Sequence, residues 1–490
     1  MSENPFTWTA SWISPARCSV RPENPRATNG ASRTAATAIG FVVGLGLERL
    51  GTRSATVGFR EGYLVVALIW LLAAAFGAIP YLVSGDAQLH DPVNAFFESM
   101  SGFTTTGSSI LTNVEAVDHS LLLWRQLTQW VGGMGIIVLA VAILPRLRVG
   151  GRQLLESESP DTEADSFAER ILPTARRLWL LYVALSVVLA SVLALFGVAG
   201  IDRRMGLFEA VSVALATLPT GGFMPVSGSL AEFSAATQWV VVLFMVIAGI
   251  NFALLARALV RRRFTGVKSD QELRLYLGIL AVASLALVAE IWNEGFDAGE
   301  AAIRHGVFQA VSITTTTGFT TTDFTAWPTF ALMLLVGLMF VGGSAGSPAS
   351  SVKVVRYLLL GRSLRRELRQ TLHPEEVIPV RLNGLVVPEK TLRAVTSFIL
   401  LYLGLFVVGA GVIALDTALE GPSLSPFDAI TAAATTLGNV GPGAGVAGPL
   451  GSFASYPDVS KVTLAALMWL GRLEVIPVVV LMTRNYWRPR

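Results

Sequence analysis

Long apolar runs alternate with short Thr/Gly-rich stretches along the 490 residues of this chain. Apolar runs near 62–83, 120–145, 174–199, 237–259, 272–293, 329–343, 392–415 and 462–482 predict helices. Most approach the ~20 residues that cross a bilayer core. The ~10-residue alternating segments of a membrane β-barrel are absent from the pattern. Between paired helices one phrase recurs four times: Phe97-Glu98-Ser99-Met100-Ser101, Phe208-Glu209-Ala210-Val211-Ser212, Phe308-Gln309-Ala310-Val311-Ser312 and Phe427-Asp428-Ala429-Ile430-Thr431. Each copy runs into a Thr/Gly stretch: 104–107, 220–223, 314–318 and 435–443. One such stretch is an ordinary loop. Four at matching places in a fourfold repeat predict four re-entrant loops around one pore.

Each repeat then reads as a helix, a short pore helix with its loop, and a second helix. The fold class is an all-α polytopic membrane protein of four pseudo-repeats around one central pore. The expected division is an N-terminal region 1–60, then repeats at 61–150, 151–265, 266–380 and 381–490. The third holds an intramembrane loop. The N-terminal region has at most one short extra helix, at 35–47, and no signal-peptide core.

Composition supports a lipid solvent. Hydrophobic residues are 52% of the chain and charged residues 14%, against about 25% charged in soluble domains, and the mean hydropathy is +0.59. The net charge of +3 is small, so its placement decides more. Basic residues gather at Arg146, Arg148, Arg152, Arg170, Arg176 and Arg177, at Arg257, Arg261, Arg262, Arg263 and Lys268, at Lys353, Arg356, Arg362, Arg365, Arg366 and Arg369, and at Arg484, Arg488 and Arg490. All lie opposite the Thr/Gly loops, so the positive-inside rule makes them cytoplasmic and the loops enter from outside. Each cluster flanks a span, which argues against nucleic acid as a partner and for membrane lipid. Cys18 is alone, so it forms no intramolecular disulfide and no Cys-based metal site.

The loop composition suits a cation filter. Non-helical backbone at membrane depth is tolerated only where it is buried in protein or lines a cavity. Inward carbonyls that replace an ion's water need backbone angles that Gly reaches freely. Thr hydroxyls supplement those carbonyls or tie the loop to its pore helix. Asp91-Pro92 opens the first short helix as N-cap and first-turn residue; Asp202, Gly299 and Ser425-Pro426 sit at comparable openings. The C-terminal ends of four such helices, each carrying about half a negative charge, favour a cation on the axis between them. The spacing is uneven. From phrase Phe to filter Gly there are 10 residues in repeats one and three, but 14 in two and four. Either the loops differ in pairs or repeats two and four are shifted by a few residues.

These loops, Trp124-Arg125-Gln126, the run from Gln129-Trp130-Val131-Gly132-Gly133-Met134-Gly135 to Pro145, and Gly471-Arg472-Leu473-Glu474 resemble the Trk/Ktr/HKT superfamily of potassium transporters, nearest its bacterial TrkH/TrkG-type membrane subunits. The likeness covers about residues 60 to 490. It implies gated potassium uptake across the bacterial cytoplasmic (inner) membrane by a homodimer. It also implies a TrkA-like cytoplasmic nucleotide-binding partner, with potassium the only ligand and no organic cofactor in this chain. Carried over, the potassium-binding filter residues are Thr105, Thr106 and Gly107; Thr220, Gly221 and Gly222; Thr316, Thr317 and Gly318; and Asn439, Val440 and Gly441. Gly at all four key positions is the family's potassium-selective pattern.

The likeness further implies a gate at Gly342, Gly343, Ser344 and Gly346, with Lys353 and Arg472. The glycines and Pro348 interrupt an apolar helix on their own terms. Where relatives continue with Thr and glycines, this chain has Pro348-Ala349-Ser350-Ser351, which predicts a stiffer gate. Arg472 inside an apolar helix costs roughly 2.5–3.5 kcal/mol on insertion scales. It is expected either to pair with Glu474 or snorkel, or to stand as a positive barrier beneath the filter.

Two other classes stay open. A sodium- or proton-coupled cation symporter would share the pore. Gly342-Gly343-Ser344-Ala345-Gly346 matches the G-x-S-x-G nucleophile pattern, so an intramembrane serine protease is the class-different alternative; it requires a His base near Ser344. Gly443-Ala444-Gly445-Val446-Ala447-Gly448 matches G-x-G-x-x-G without a βαβ pattern around it, which argues against nucleotide binding by this chain.

Overall fold

The computed structural model describes residues 59–147, 164–261, 269–420 and 424–488, within one unit spanning Thr52–Arg490. The short helix expected at 35–47 lies outside them, as do Arg148, Arg152, Arg262, Arg263, Lys268 and Arg490.

One order recurs four times: long helix, short helix, loop, second helix. It runs α1 (Phe59–Val83), α2 (Pro92–Phe103), α3 (His119–Leu147); then α4 (Ala164–Val198), α5 (Leu207–Thr217), α6 (Ala235–Ala248) with α7 (Phe252–Arg261). It continues α8 (Gln271–Asn293), α9 (Gly299–Thr314), α10 (Thr329–Leu338), α11 (Val354–Leu372); then α12 (Glu389–Glu420), α13 (Pro426–Gly438), α14 (Asp458–Arg472), α15 (Ile476–Met482) and α16 (Arg484–Trp487). Among the described residues, four helices are long and apolar enough to cross a membrane: Glu61–Val83, Thr174–Val198, Gln271–Asn293 and Glu389–Leu419. The bent pair α6–α7 makes a fifth if it counts as one span. An antiparallel pair, β1 (Arg381–Leu382) with β2 (Leu385–Val386), is the one small departure from an all-helical chain among the described residues.

The second helices are more broken than their hydropathy predicts. Only the break in the third was expected. The run 237–259 bends by 104° between α6 and α7. Asn251 Oδ1 accepts from the amides of Ala253 and Leu254 at 2.8 and 3.2 Å and so starts a new helix. The run 462–482 breaks after Arg472, where Glu474 and Val475 take φ of 57° and 59°.

The short helices begin in different ways. Asp91 Oδ1 accepts from Val93 and Asn94 amides at 2.9 and 3.0 Å, with Pro92 in the first turn. Ser425 and Asp428 form a reciprocal capping box. In repeat two the cap is Gly206, not Asp202. Asp202 instead accepts from Ser234 N and Thr237 Oγ1, both at 2.7 Å, and fastens the start of α6. In repeat three the cap is Ala298, and Gly299 with φ 61° is the first helical residue.

Close helix contacts follow small residues, as membrane packing requires. A Cβ on Gly77 of α1 would stand 2.4 Å from the Phe103 ring of α2, and Trp124 Nε1 donates to Gly77 O at 3.1 Å. One buried cluster joins α1 and α2 to α12–α14, and a second joins α4–α9, so the apolar core flanks the four loops.

Candidate ion pathway

The four loops share one backbone form. Thr105, Thr220, Thr316 and Asn439 have φ of 52°, 56°, 57° and 51°; two residues on, Gly107, Gly222, Gly318 and Gly441 have φ of 85°, 82°, 79° and 117°. The residue between them bonds back to its short helix in every case: Thr106 N to Ser101 O, Gly221 N to Ala216 O, Thr317 N to Ser312 O, Val440 N to Thr435 O, at 2.8–2.9 Å. Positive φ at a β-branched residue costs of order 1–3 kcal/mol. Three Thr in this state at matching places mark a site held against local preference.

This register resolves the uneven spacing. Counted from the shared hydrogen bond, Phe97 and Phe308 precede Ser101 and Ser312 by four residues, whereas Phe208 and Phe427 precede Ala216 and Thr435 by eight. The difference is about one helical turn. The loops align, and the phrase sits one turn earlier in repeats two and four. Phe97 and Phe308 are buried, while Phe208 and Phe427 are only half-buried.

The loops close into a ring. A Cβ on Gly107 would stand 2.3 Å from Gly221 O, on Gly222 2.2 Å from Thr317 O, on Gly318 2.0 Å from Val440 O, and on Gly441 3.0 Å from Thr106 O. Each glycine therefore abuts the carbonyl before the glycine of the next loop, from first to second to third to fourth and back. All four glycines line one cavity of about 100 Å³, with Ser108, Phe223, Thr320 and Pro442. The C-terminal ends of α2, α5, α9 and α13 run directly into these loops, which adds negative helix-end potential.

Side chains behind the ring tie it down. Thr104 Oγ1 donates to Met100 O at 2.6 Å and lies 2.7 Å from Thr106 Oγ1; Thr315 Oγ1 donates to Val311 O at 2.8 Å and lies 2.8 Å from Thr317 Oγ1. Asn439 Nδ2 donates to Thr106 Oγ1 and Met468 O, both at 2.9 Å, joining the fourth loop to the first. Ser108 Oγ donates to Gly441 O at 2.8 Å.

Sequence reading missed the ion pair at the outer rim. Glu98, the polar member of the first phrase, accepts from Arg125 Nε of α3 at 2.8 Å and from Ile110 N at 3.0 Å. Arg125 also donates to Ser109 Oγ at 3.1 Å and Met224 O at 3.3 Å, and its guanidinium stacks 4.0 Å above the Phe223 ring. The pair so fastens the outer ends of loops one and two. Its carboxylate gave no distinct signal, since the phrase carries Glu209 and Asp428 at the same place in two other copies.

Below the ring lies the segment between α10 and α11, containing Gly342, Gly343, Ser344, Gly346 and Lys353. Gly342 and Gly346 take φ of 77° and 78°, Ser351 and Lys353 take 65° and 73°. The segment is stitched to the α6–α7 bend: Ser344 N donates to Gly249 O at 2.9 Å and Phe252 N to Gly346 O at 3.1 Å. Glu272 Oε1 accepts from Ala345 N at 2.6 Å, and Ser351 Oγ donates to Met339 O at 2.8 Å. Ser350 N donates to Thr316 Oγ1 of the third loop at 3.0 Å.

Arg472 is 1% exposed and does not pair with Glu474. Its Nη1 donates to Pro348 O at 2.7 Å and Ser350 Oγ at 2.8 Å, and its Nη2 to Gly132 O at 3.3 Å. Glu474, turned away by its positive φ, takes Lys353 Nζ at 2.9 Å and Arg356 Nη2 at 2.5 Å. Among the described residues Ser344 Oγ has no hydrogen-bond partner, and His305 Nδ1 is engaged with Thr321 Oγ1 at 2.8 Å.

Comparison with known proteins agrees with this geometry. The family pattern of TrkH, described as a cation transport protein, matches residues 32–488. The chain is 38% identical over 432 residues to the Trk system potassium uptake protein TrkH of Salmonella typhimurium, covering 88% of this chain and 86% of that protein. It is 37% identical over 459 residues to the Trk system potassium uptake protein TrkH of Halomonas elongata, covering 92% and 91%. The crystal structure of the potassium transporter TrkH from Vibrio parahaemolyticus superposes with a TM-score of 0.82 at 33% identity, covering 94% of this chain and 93% of that one. Built as a multi-pass helical membrane protein and matched along most of its length, the chain belongs to the TrkH family of cation transport proteins.

Proposed function

We propose that this chain carries potassium into the cell across the bacterial cytoplasmic membrane, as the pore-forming membrane subunit of a Trk-type uptake system. The observation that carries the reading is the closed ring, in which four glycines pack against four carbonyls on one axis. The ion is substrate here, and the donor set fits it: backbone carbonyls and Thr hydroxyls are hard oxygen ligands without formal charge, as a monovalent cation that must leave again requires. Thr105, Thr106 and Gly107, with Thr220, Gly221 and Gly222, Thr316, Thr317 and Gly318, and Asn439, Val440 and Gly441, are the filter. Each of the repeats 61–150, 151–265, 266–380 and 381–490 supplies one loop. Gly342, Gly343, Ser344, Gly346 and Lys353, pinned by Arg472, form the gate.

No second fuel is required at moderate gradients. A potential of 100 mV is worth about 2.3 kcal/mol per monovalent cation, roughly 50-fold accumulation at about 1.36 kcal/mol per decade. That favours a channel-like path over a symporter. The protease alternative is weakened because, among the described residues, none hydrogen-bonds Ser344 Oγ as a general base would. A homodimer with a TrkA-like cytoplasmic nucleotide-binding partner completes the proposed assembly. The test is potassium or rubidium uptake against sodium uptake in proteoliposomes. Selective uptake without sodium, lost in Gly107→Ala, Gly222→Ala and Gly318→Ala, is the expected result. Equal sodium and potassium flux, or flux unchanged by all three substitutions, would sink the reading.

A further inference from the structure

The second filter loop lacks a side chain where the other three have one. The central position is Thr106 in loop one, Thr317 in loop three and Val440 in loop four, but Gly221 in loop two. Thr106 and Thr317 use their own hydroxyls to bond the turn above them, at 2.7 and 2.8 Å. Val440 is buried in an apolar cluster. Gly221 can do neither.

A residue from outside the loop occupies the vacancy. A Cβ built on Gly221 would lie 2.5 Å from both Cδ and Oε1 of Gln129 and 2.9 Å from its Nε2. Gln129 is fully buried on α3 and makes two hydrogen bonds to the loop: Nε2 to Gly221 O at 2.6 Å, and Phe223 N to Oε1 at 3.1 Å. A carbonyl only accepts and an amide N–H only donates, so one orientation of the Gln129 amide satisfies both. The bonds bracket Gly222, the loop's filter glycine. Gly221 O is also the carbonyl against which Gly107 packs, so it sets the spacing between the first and second loops.

We propose that Gln129 is a positioning residue of the second filter loop, standing in for the missing side chain at Gly221 and setting the loop's share of cation selectivity. This rests on the filter reading above. A carbonyl held by one donor keeps a lone pair for the ion, and selectivity depends on where such carbonyls are held. The substitution Gly221→Thr, the residue found in loops one and three, collides with Gln129 when made alone. Gly221 does not have a positive φ, so the backbone itself accepts a side chain.

The test is the potassium-to-sodium flux ratio in proteoliposomes, with folded protein measured alongside. Gln129→Leu should lower the ratio about tenfold, since leaving two buried backbone groups without partners is worth at least one decade. Gln129→Glu keeps the acceptor for Phe223 N but loses the donor to Gly221 O, and should lower the ratio too. Gly221→Thr alone should lower it, and Gln129→Ala with Gly221→Thr should restore it above Gly221→Thr. If Gln129→Leu does not fold, the double variant decides: recovery supports the proposal, and a ratio no better than Gly221→Thr alone overturns it. Gly318→Ser is the control. Should it leave the ratio unchanged, the filter reading itself fails. Should it lower the ratio while Gln129→Leu does not, only the role of Gln129 falls.

Discussion

The backbone amide of Ser350 donates to the Oγ1 of Thr316 at 3.0 Å. Thr316 is the third loop's first left-handed residue, and Ser350 belongs to the segment that interrupts the same repeat's second helix. The proposed gate is therefore seated on the proposed filter by a direct bond. Pro348-Ala349-Ser350-Ser351 supplies much of that seating. Pro348 O and Ser350 Oγ take Arg472, and Ser351 Oγ reaches Met339 O.

Thr316→Val keeps the β-branched shape and removes the acceptor. Ser350 N is then a buried donor without a partner, a loss of about 1–3 kcal/mol. The seated state should weaken by that amount, and hydrogen exchange at Ser350 N should speed up. Exchange at the parent's rate, with equal folded protein, would show that the bond does not hold the gate.

Arg472→Met should raise rubidium flux in proteoliposomes, because it removes three donations from one charged group at 1% exposure. Hydrogen bonds to charged groups are worth about 1.5–3 kcal/mol, so the increase is expected at roughly ten- to a hundredfold. Arg472→Lys should fall between, since a point-like ammonium lacks the planar fork that bridges Pro348 O, Ser350 Oγ and Gly132 O. A flux ordering of Lys above Met would contradict this account.

Much of this was legible in the sequence, for physical reasons that also explain what was not. The left-handed glycines of the four loops were readable because such backbone favours Gly, and the caps Asp91 and Ser425 because short helices need them, whereas Gly206 and Ala298 bring no capping side chain to read. The offset of Phe208 and Phe427 showed as the count of 10 against 14, but its cause did not: shifting a phrase by four residues slides it one turn along the same helix face, and periodicity cannot see that. The break at Glu474 and Val475 went unread although Gly471 and Pro477 bracket it, Pro477 in the first turn of α15, because the run 462–482 stays apolar across it. That break also removes the Arg472–Glu474 pairing, one of the two readings of Arg472, by sending the carboxylate to Lys353 and Arg356.

The Glu98–Arg125 pair should show strong non-additivity. Both side chains are at most 2% exposed, so removing one partner strands a buried charge at a cost of roughly 3–5 kcal/mol. Glu98→Leu should therefore lower the unfolding temperature in detergent sharply. Replacing both partners, as Glu98→Leu with Arg125→Met, should be milder than either single change. Additive losses would mean that the two residues act separately on the loops they touch.

Glu115 predicts a pH effect confined to the outer face. Its carboxylate accepts from Ser227 N at 2.6 Å and Ser227 Oγ at 2.5 Å, linking the outer segments of repeats one and two. Partial burial pushes its pKa up, but the bonds from Ser227 outweigh that and hold it below the usual carboxylate value. A depressed folded pKa means that the link is fully present above the unfolded value and is lost as pH falls through the folded one. Acidifying the outside should thus speed hydrogen exchange at Ser227 N, after correction for the intrinsic pH dependence of exchange, and Glu115→Gln should flatten that response. The group is largely exposed, so salt should shrink the effect. Protection at Ser227 N that stays constant across this range would rule the link out.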